Sequence, residues 1–313
     1  MKLRDAIESC IAFKRSLGMR FDCQAETLRS FCRAVGDVEL AHIRPAAVLT
    51  FIGCQRATGA SRSYYKCLRS FYRYALERSF TKTSPLPKYP PRFPPPHPPY
   101  IYSTAELKRL LRAADALSVR VSTLHPLTYR TLLLLLYGSA IRIGEALALT
   151  LRDVDLTEGI LIVREAKFFK TRQVPLGPRL TCVLARYARH RRCLPLPCGE
   201  ASSFFATCTG HAPIYGHVRI VFKRLRQCAD IRCKGGPRRQ PRLHDIRHTS
   251  ATHRLIAWYR QGKDVQRLLP HLATYLGHKD IESTQRYLSL TPQLLRHASR
   301  RFAQYAFPEN RHG

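Results

Sequence analysis

Four residues near the C-terminal end have types and spacing suited to one kind of chemistry. His244 and Arg247 stand three positions apart, so on a helix they share a face. His278 follows Leu276-Gly277, and Tyr287 comes nine positions later. An arginine fork can hold the oxygens of an anion, a histidine can hold or move a proton, and a phenol can attack. Together these residue types point to a phosphodiester, whose phosphorus a phenolate can attack once the charge on its oxygens is held.

Taken singly, each has an ordinary reading: Arg247 as a helix surface residue, His278 as a hydrogen-bonded loop histidine, Tyr287 as a core aromatic. His244-Asp245-Ile246-Arg247-His248 also has the outline of the zinc-protease text H-E-x-x-H. Asp245 is one carbon shorter than the glutamate of that text, and Arg247 would set a cation beside the metal. His190, Cys193, Cys198, Cys208 and His211 match no tight C-x-x-C knuckle, so no metal site is expected.

The elements that must position these groups lie in a chain of 313 residues, enough for two domains with cores of their own. Lys and Arg number 53 against 21 Asp and Glu, a formal charge of +32. Such an excess repels itself unless a polyanion is the usual partner, and nucleic acid is the commonest one. The N-terminal MKLRDAIESC enters an amphipathic pattern directly, without the features of a secretory signal. The apolar run Leu132 to Tyr137 is far short of the ~20 residues that cross a bilayer. A cytoplasmic protein without membrane contact is therefore expected, its eleven cysteines mostly buried free thiols.

Residues 1–84 read as four helices. Leu3, Ile7, Cys10 and Ile11 fit the first, which Gly18 ends; the second covers about Gln24 to Val35 and meets Gly36. A third opens near Pro45, a residue suited to a first helical turn. The fourth, Ser61 to Arg78, has Tyr64, Tyr65, Leu68, Phe71, Tyr72 and Ala75 on one face. Arg62, Lys66, Arg69 and Arg73 form a separate cationic stripe suited to phosphate contacts. Pro85 to Pro99 holds nine prolines, which excludes helix and central strand and predicts a semi-rigid linker rather than a docking peptide.

From Tyr100 a second domain begins, with a capping box at Ser103 to Glu106 and a strongly apolar helix over Thr128 to Tyr137. Gly138 to Ile141 turns into Arg142, and Glu145 to Leu149 opens another helix. Ile160 to Val163 and Arg172 to Leu176 are strand-like, with a turn expected over Glu165 to Thr171. Helices resume after Pro178. The basic loop Arg232 to Arg242, with Lys234, Arg238, Arg239 and Arg242, leads into the His244 helix and suits phosphate contact. The expected fold is mainly α with a small β-sheet: 1–84 helical, 85–99 linker, 100–313 the domain that carries the chemistry.

His244-Asp245-Ile246-Arg247-His248, Leu276-Gly277-His278 and Tyr287 resemble the H-x-x-R, L-G-H and Y elements of the tyrosine recombinase (phage integrase) family. Arg142, in Y-G-S-A-I-R-I-G-E-A-L, resembles that family's first arginine box, T-G-L-R-x-S-E-L, with Gly144 where serine is common. The stretch A-K-F-F-K-T-R-Q-V-P-L resembles its lysine hairpin. Alignment on Arg172 and Val174-Pro175-Leu176 puts Lys167 on the catalytic lysine and Lys170 on the second one, with Ala166 and Phe168 replacing glycines. Tyr275 and Tyr305 lack the family's spacing from Leu-Gly-His.

The resemblance implies an N-terminal core-binding domain and a C-terminal α+β catalytic domain. It implies site-specific recombination of double-stranded DNA through a 3′-phosphotyrosyl intermediate. In that scheme Tyr287 attacks, Arg142, Arg247 and His278 hold the phosphate, His244 accepts the phenol proton and Lys167 protonates the leaving 5′ oxygen. The intermediate keeps the bond energy, so neither ATP nor metal is needed. The partners implied are paired DNA sites, a homo-tetramer and, in some systems, accessory recombinases. A helix from Thr291 would pack on its own chain or on a neighbour. Type IB topoisomerases share the chemistry without exchanging partners, and a non-catalytic DNA-binding protein could share the fold; the separate helical domain favours recombination over the first, and an intact nucleophile and arginine set over the second.

Overall fold

The computed structural model describes residues 1–53, 59–93, 98–118, 123–166, 170–195, 199–233, 236, 239–278, 282–289 and 299. The chain divides into two compact units, Met1–His97 and Pro98–Gly313. Among the described residues no helix is long and apolar enough to cross a membrane.

The first unit holds α1 (Leu3–Ser16), α2 (Asp22–Val35), α3 (Pro45–Ile52) and α4 (Gly59–Glu77). Their apolar stripes meet: Leu3, Ile7 and Ile11 of α1, Leu28 and Phe31 of α2, Val48 and Ile52 of α3, and Leu68, Phe71 and Tyr72 of α4 are all buried. Pro45 occupies the first turn of α3, and Gly36 ends α2 with φ 89°. Tyr64 is only partly buried and stacks on Phe51, centroids 5.3 Å apart.

The proline-rich stretch differs from the expected linker. Leu86 and Phe93 pack against the first unit's core, and Phe93 meets the Tyr65 ring at 5.8 Å. Proline forbids regular structure, but two apolar side chains among the prolines still gain by leaving water. Residues 94–97 lie outside the described residues.

In the second unit, α5 (Thr104–Asp115), α6 (Pro126–Ser139) and α7 (Ile143–Ala148) precede a three-stranded sheet. The strands are β1 (Val154–Asp155), β2 (Ile160–Ala166) and β3 (Lys170–Pro175), antiparallel in the order β1-β2-β3. Then follow α8 (Pro178–Arg191), α9 (Tyr215–Cys228), α10 (Asp245–Arg260), α11 (Val265–Leu276) and α12 (Glu282–Ser289). The Ser103 side chain accepts from the Glu106 N–H while Glu106 accepts from the Ser103 N–H, so the expected capping box opens α5. Helix α6 runs through the core, with Tyr129, Leu132, Leu133, Leu135 and Leu136 buried. The Tyr129 hydroxyl, which would be costly to bury unpaired, donates to the Val218 carbonyl at 2.7 Å.

The sheet departs from expectation in two ways. The ladder extends to Ala166 opposite Lys170, past an irregularity after Val163, so the expected turn shrinks. Strand β1 is added on the far side of β2. Leu161 pairs with Val174 and Val163 with Arg172, so these four side chains share the inward face. That register turns Arg172 into the domain rather than toward solvent.

The cysteines are less uniformly buried than expected: Cys10, Cys32 and Cys67 are buried, but Cys23, Cys182, Cys193 and Cys228 are exposed.

Candidate active site

Arg142 immediately precedes α7, reached through a tight reversal. Ala140 ends α6 in the left-handed region at φ 51°, unusual for a residue with a Cβ. The reversal aims the Ala140 carbonyl at α10, where it accepts from Arg247 Nη1 at 2.6 Å. The second Arg247 nitrogen donates to the Leu276 carbonyl at 2.5 Å. Arg142 donates to the next carbonyl, that of Gly277, at 3.1 Å. The last residue of α11 and the glycine that caps it thus hold both arginines by their backbone.

Gly277 is required there twice over. Its φ of 67° makes it the left-handed cap of α11, and a Cβ on it would sit 2.8 Å from Arg172 Cζ. The same cap sends the His278 N–H back to the Ala273 carbonyl at 2.9 Å and turns His278 into the site. His278 Nδ1 hydrogen-bonds the buried Thr284 hydroxyl at 2.8 Å, which leaves Nε2 for a ligand.

Glu145 joins two of the arginines. It accepts from Arg142 Nη1 at 2.7 Å and the Arg142 backbone N–H at 2.8 Å. It also accepts from Arg172 at 3.1 and 2.8 Å. Burial works to raise its pKa, but the Arg172 and Arg142 hydrogen bonds outweigh it and bring the carboxyl to about 2. Arg247 is 3 % exposed, and among the described residues no carboxylate pairs with it. Burial, then the neighbouring Arg142 charge, lower its pKa to about 10, so it stays charged at neutral pH.

Tyr287 is 3 % exposed and belongs to a core cluster with Ala140, Leu255, Leu272 and Leu276, which fixes its ring. Its hydroxyl lies 3.0 Å from His248 Nδ1. The His278 ring stacks near it, centroids 6.1 Å apart. Burial raises the phenol pKa, opposed by the Arg247 and Arg142 charges. His278 is brought down to about 4 by burial and then Arg247 and Arg142; His248 falls to about 4 by burial and then His244. His244, lowered by burial and then Arg247, sits at the N-terminus of α10 with its ring 4.9 Å from that of His248.

One pocket therefore gathers Arg142, Arg247, His278 and Tyr287 of the same chain, with His244 behind His248. Lys167 falls outside the described residues, as do Lys234, Arg238 and Tyr305. Lys170 begins β3. The Tyr275 hydroxyl reaches the Gly138 and Pro175 carbonyls at 3.4 and 3.5 Å. Arg239 is exposed, and Arg242 pairs with Asp245 at 2.9 Å.

On α4, Lys66, Arg69 and Arg73 are exposed and line a cleft of about 550 Å³ with Lys88. Arg62 donates to the Phe93 carbonyl at 3.3 Å. Arg73 has a loose, exposed contact with Glu77 at 3.8 Å, of little energetic weight.

Sequence reasoning passed over four residues that build this site. His248 lies four after His244, on one helix face, and Glu145 three after Arg142, where a glutamate in the first turn reaches back to the N–H of the capping residue. Arg172 served only to align the hairpin. Thr284 had no signal beyond its position between His278 and Tyr287.

The sequence profile of the phage integrase family matches residues 102–293. A putative integrase/recombinase of Sinorhizobium fredii, y4rE, is 35% identical over 311 residues, spanning 96% of this chain and 95% of its own. Among solved structures, the Tn1549 transposon integrase in complex with transposon right-end DNA superposes with TM-score 0.72 at 15% identity, over 98% of this chain and 100% of its own. A lambda integrase tetramer bound to a Holliday junction gives TM-score 0.65 at 16% identity, over 92% of this chain and 77% of its own.

Proposed function

This chain belongs to the phage integrase family and is a site-specific DNA recombinase, and from that premise we propose how its own residues divide the work. Tyr287 is the nucleophile and forms a 3′-phosphotyrosyl bond. Arg142, Arg247 and the Nε2 of His278 hold the non-bridging oxygens of the scissile phosphate. Lys167 delivers a proton to the departing 5′ oxygen. The observation that carries this reading is the Tyr287 hydroxyl held among Arg247, Arg142 and two histidines in a pocket whose guanidiniums, among the described residues, outnumber its carboxylates. A buried cation without a carboxylate is costly unless an anion visits, and fixed donors at the site of developing charge are usually the largest catalytic contribution.

The first unit supplies non-specific grip. Lys66, Arg69 and Arg73 offer a run of cations on α4, with Arg62 beside them, and Lys170, Lys234, Arg238, Arg239 and Arg242 add phosphate contacts from the second unit. The chain works in the cytoplasm as a tetramer on paired sites, by analogy with the DNA-bound lambda integrase tetramer, and serves a mobile element of the kind the Tn1549 integrase serves.

The test is Tyr287→Phe. DNA binding is expected to stay within about threefold of the unaltered protein, because one hydroxyl is lost from a ring that packs unchanged, while no covalent protein–DNA adduct forms. An adduct trapped with that variant refutes the assignment.

A further inference from the structure

The phenol of Tyr287 needs a proton acceptor as it attacks, and the resemblance assigned that task to His244. The geometry points to a different residue: we propose that His248 Nδ1 is the immediate acceptor of the Tyr287 proton, with His244 standing behind it as a positioning residue. The proposal rests on Tyr287 being the nucleophile.

The argument begins with hydrogen-bond direction. His248 Nδ1 and the Tyr287 hydroxyl are 3.0 Å apart, within the range of a proton-transfer contact. Arg247, whose charge also bears on the phenol, has only N–H groups to offer. It can therefore face the phenol oxygen solely as a donor, and the phenol's own hydrogen is left for Nδ1. His248 must then carry its ring hydrogen on Nε2. His244 meets His248 edge to face at 4.9 Å, while His248 meets Tyr287 at 5.4 Å, so the order outward from the nucleophile is Tyr287, His248, His244.

The charges around His248 favour this use. On its own helix and the turn before it are His244, Asp245, Arg247 and Arg242; from the other elements come His278 and Tyr287. Burial and this mostly cationic company keep the imidazole neutral at physiological pH and ready to accept. They also make the imidazolium unfavourable until a phosphodiester brings its negative charge. Transfer therefore accompanies attack rather than preceding it. The Tyr287 oxygen bonds to phosphorus, its proton passes to His248 Nδ1, and the P–O5′ bond breaks with a proton supplied to the 5′ oxygen by Lys167. Rejoining runs the same steps backward and returns the proton from His248 to the phenol.

The experiment uses the full-length protein and a nicked duplex carrying the DNA sequence that borders this chain's gene. Adduct formation is timed from pH 6 to 10 for the unaltered protein, His248→Ala and His244→Ala, and the modified tyrosine is mapped by peptide mass spectrometry. His248→Ala is expected to be slower by about 100-fold or more near neutrality, the usual scale of a lost general base. Its rate should climb about tenfold per pH unit where the unaltered protein has levelled, because hydroxide must replace the imidazole, and added imidazole should restore it.

A rate lowered in parallel at every pH, or within threefold of the unaltered protein, overturns the proposal. So does a rising profile and imidazole rescue in His244→Ala instead. An adduct mapped to another tyrosine removes the nucleophile assignment itself, whereas an adduct on Tyr287 with parallel profiles removes only His248.

Discussion

Replacing Glu145 with glutamine tests whether the arginine cluster is held as described. Glutamine keeps the shape and imitates the protonated acid, so the substitution isolates the carboxylate's charge. In the folded protein the Glu145 carboxyl titrates at about 2 against an ordinary 4.5, because the hydrogen bonds from Arg172 and Arg142 overcome burial. At about 1.4 kcal/mol per tenfold, that difference is roughly 3 kcal/mol. The group's side chain is 10 % exposed, so solvent screening takes little from the figure.

The sign follows from a depressed folded-state pKa. The stabilisation is complete above pH 4.5 and is lost as the pH falls toward 2, with half remaining near pH ~3.2. Urea unfolding followed by the fluorescence of Trp258, the chain's one tryptophan, reports the unit that contains α10. Glu145→Gln should lose about 3 kcal/mol at pH 7 relative to the unaltered protein, and the gap should narrow only in the acid range. A gap under about 1 kcal/mol at pH 7, or one that does not change with pH, refutes the reasoning.

Gly277→Ala should cost about 1–3 kcal/mol in unfolding measurements, from the left-handed φ and the Cβ driven against Arg172. Adduct formation should fall further than stability, because the Leu276 and Gly277 carbonyls hold Arg247 and Arg142. Thr284→Val removes the hydroxyl that orients His278 while keeping the volume; cleavage should slow about tenfold or more, and an unchanged rate counts against His278 as a phosphate ligand. Arg69→Glu on α4 should weaken binding to any duplex and lower the salt slope by about one, read from affinities at several salt concentrations; an unchanged slope removes the α4 stripe from the DNA contacts.

The helices of the first unit and α5 were legible because each had a periodic apolar face and a physical reason to start or stop. Ser103 with Glu106 opens α5, Gly36 closes α2 and Pro45 starts α3, as those residue types dictate. The hairpin was less legible. Lys167, Phe168 and Phe169 break the alternation that marks strands, yet backbone pairing carries the ladder to Ala166 and Lys170, since those hydrogen bonds do not depend on side-chain pattern. Strand β1 has two residues, too few to show any period.

Within the site, the order of Arg142, His244, Arg247, His278 and Tyr287 could be read, but who touches whom could not. Sequence spacing places His244 and His248 on one helix face; only the rotation of that helix against α12 decides which imidazole meets the phenol. The structure puts His248 there. The part played by Glu145 was hidden for a similar reason, because Arg172 reaches it through the register of β2 and β3, a relation between strands rather than along either one.

The charge inventory of the pocket suggests which species it is built to hold. Three guanidiniums, Arg142, Arg172 and Arg247, face one carboxylate among the described residues, that of Glu145. Among the described residues two positive charges are left over, more than the single negative charge of a phosphodiester, and the proposed donor Lys167 would add to that excess until its proton is given up. A site balanced for the ground state would need a second carboxylate; among the described residues there is none, so the proposed site would hold the more negative transition state more strongly than the substrate, which is the condition for acceleration. The bare protein bears the cost, visible in an Arg247 whose pKa has fallen to about 10. Adding a carboxylate beside Arg247 would therefore be expected to stabilise the fold and slow cleavage together, whereas a site serving only to bind DNA would gain stability with no chemical step to lose.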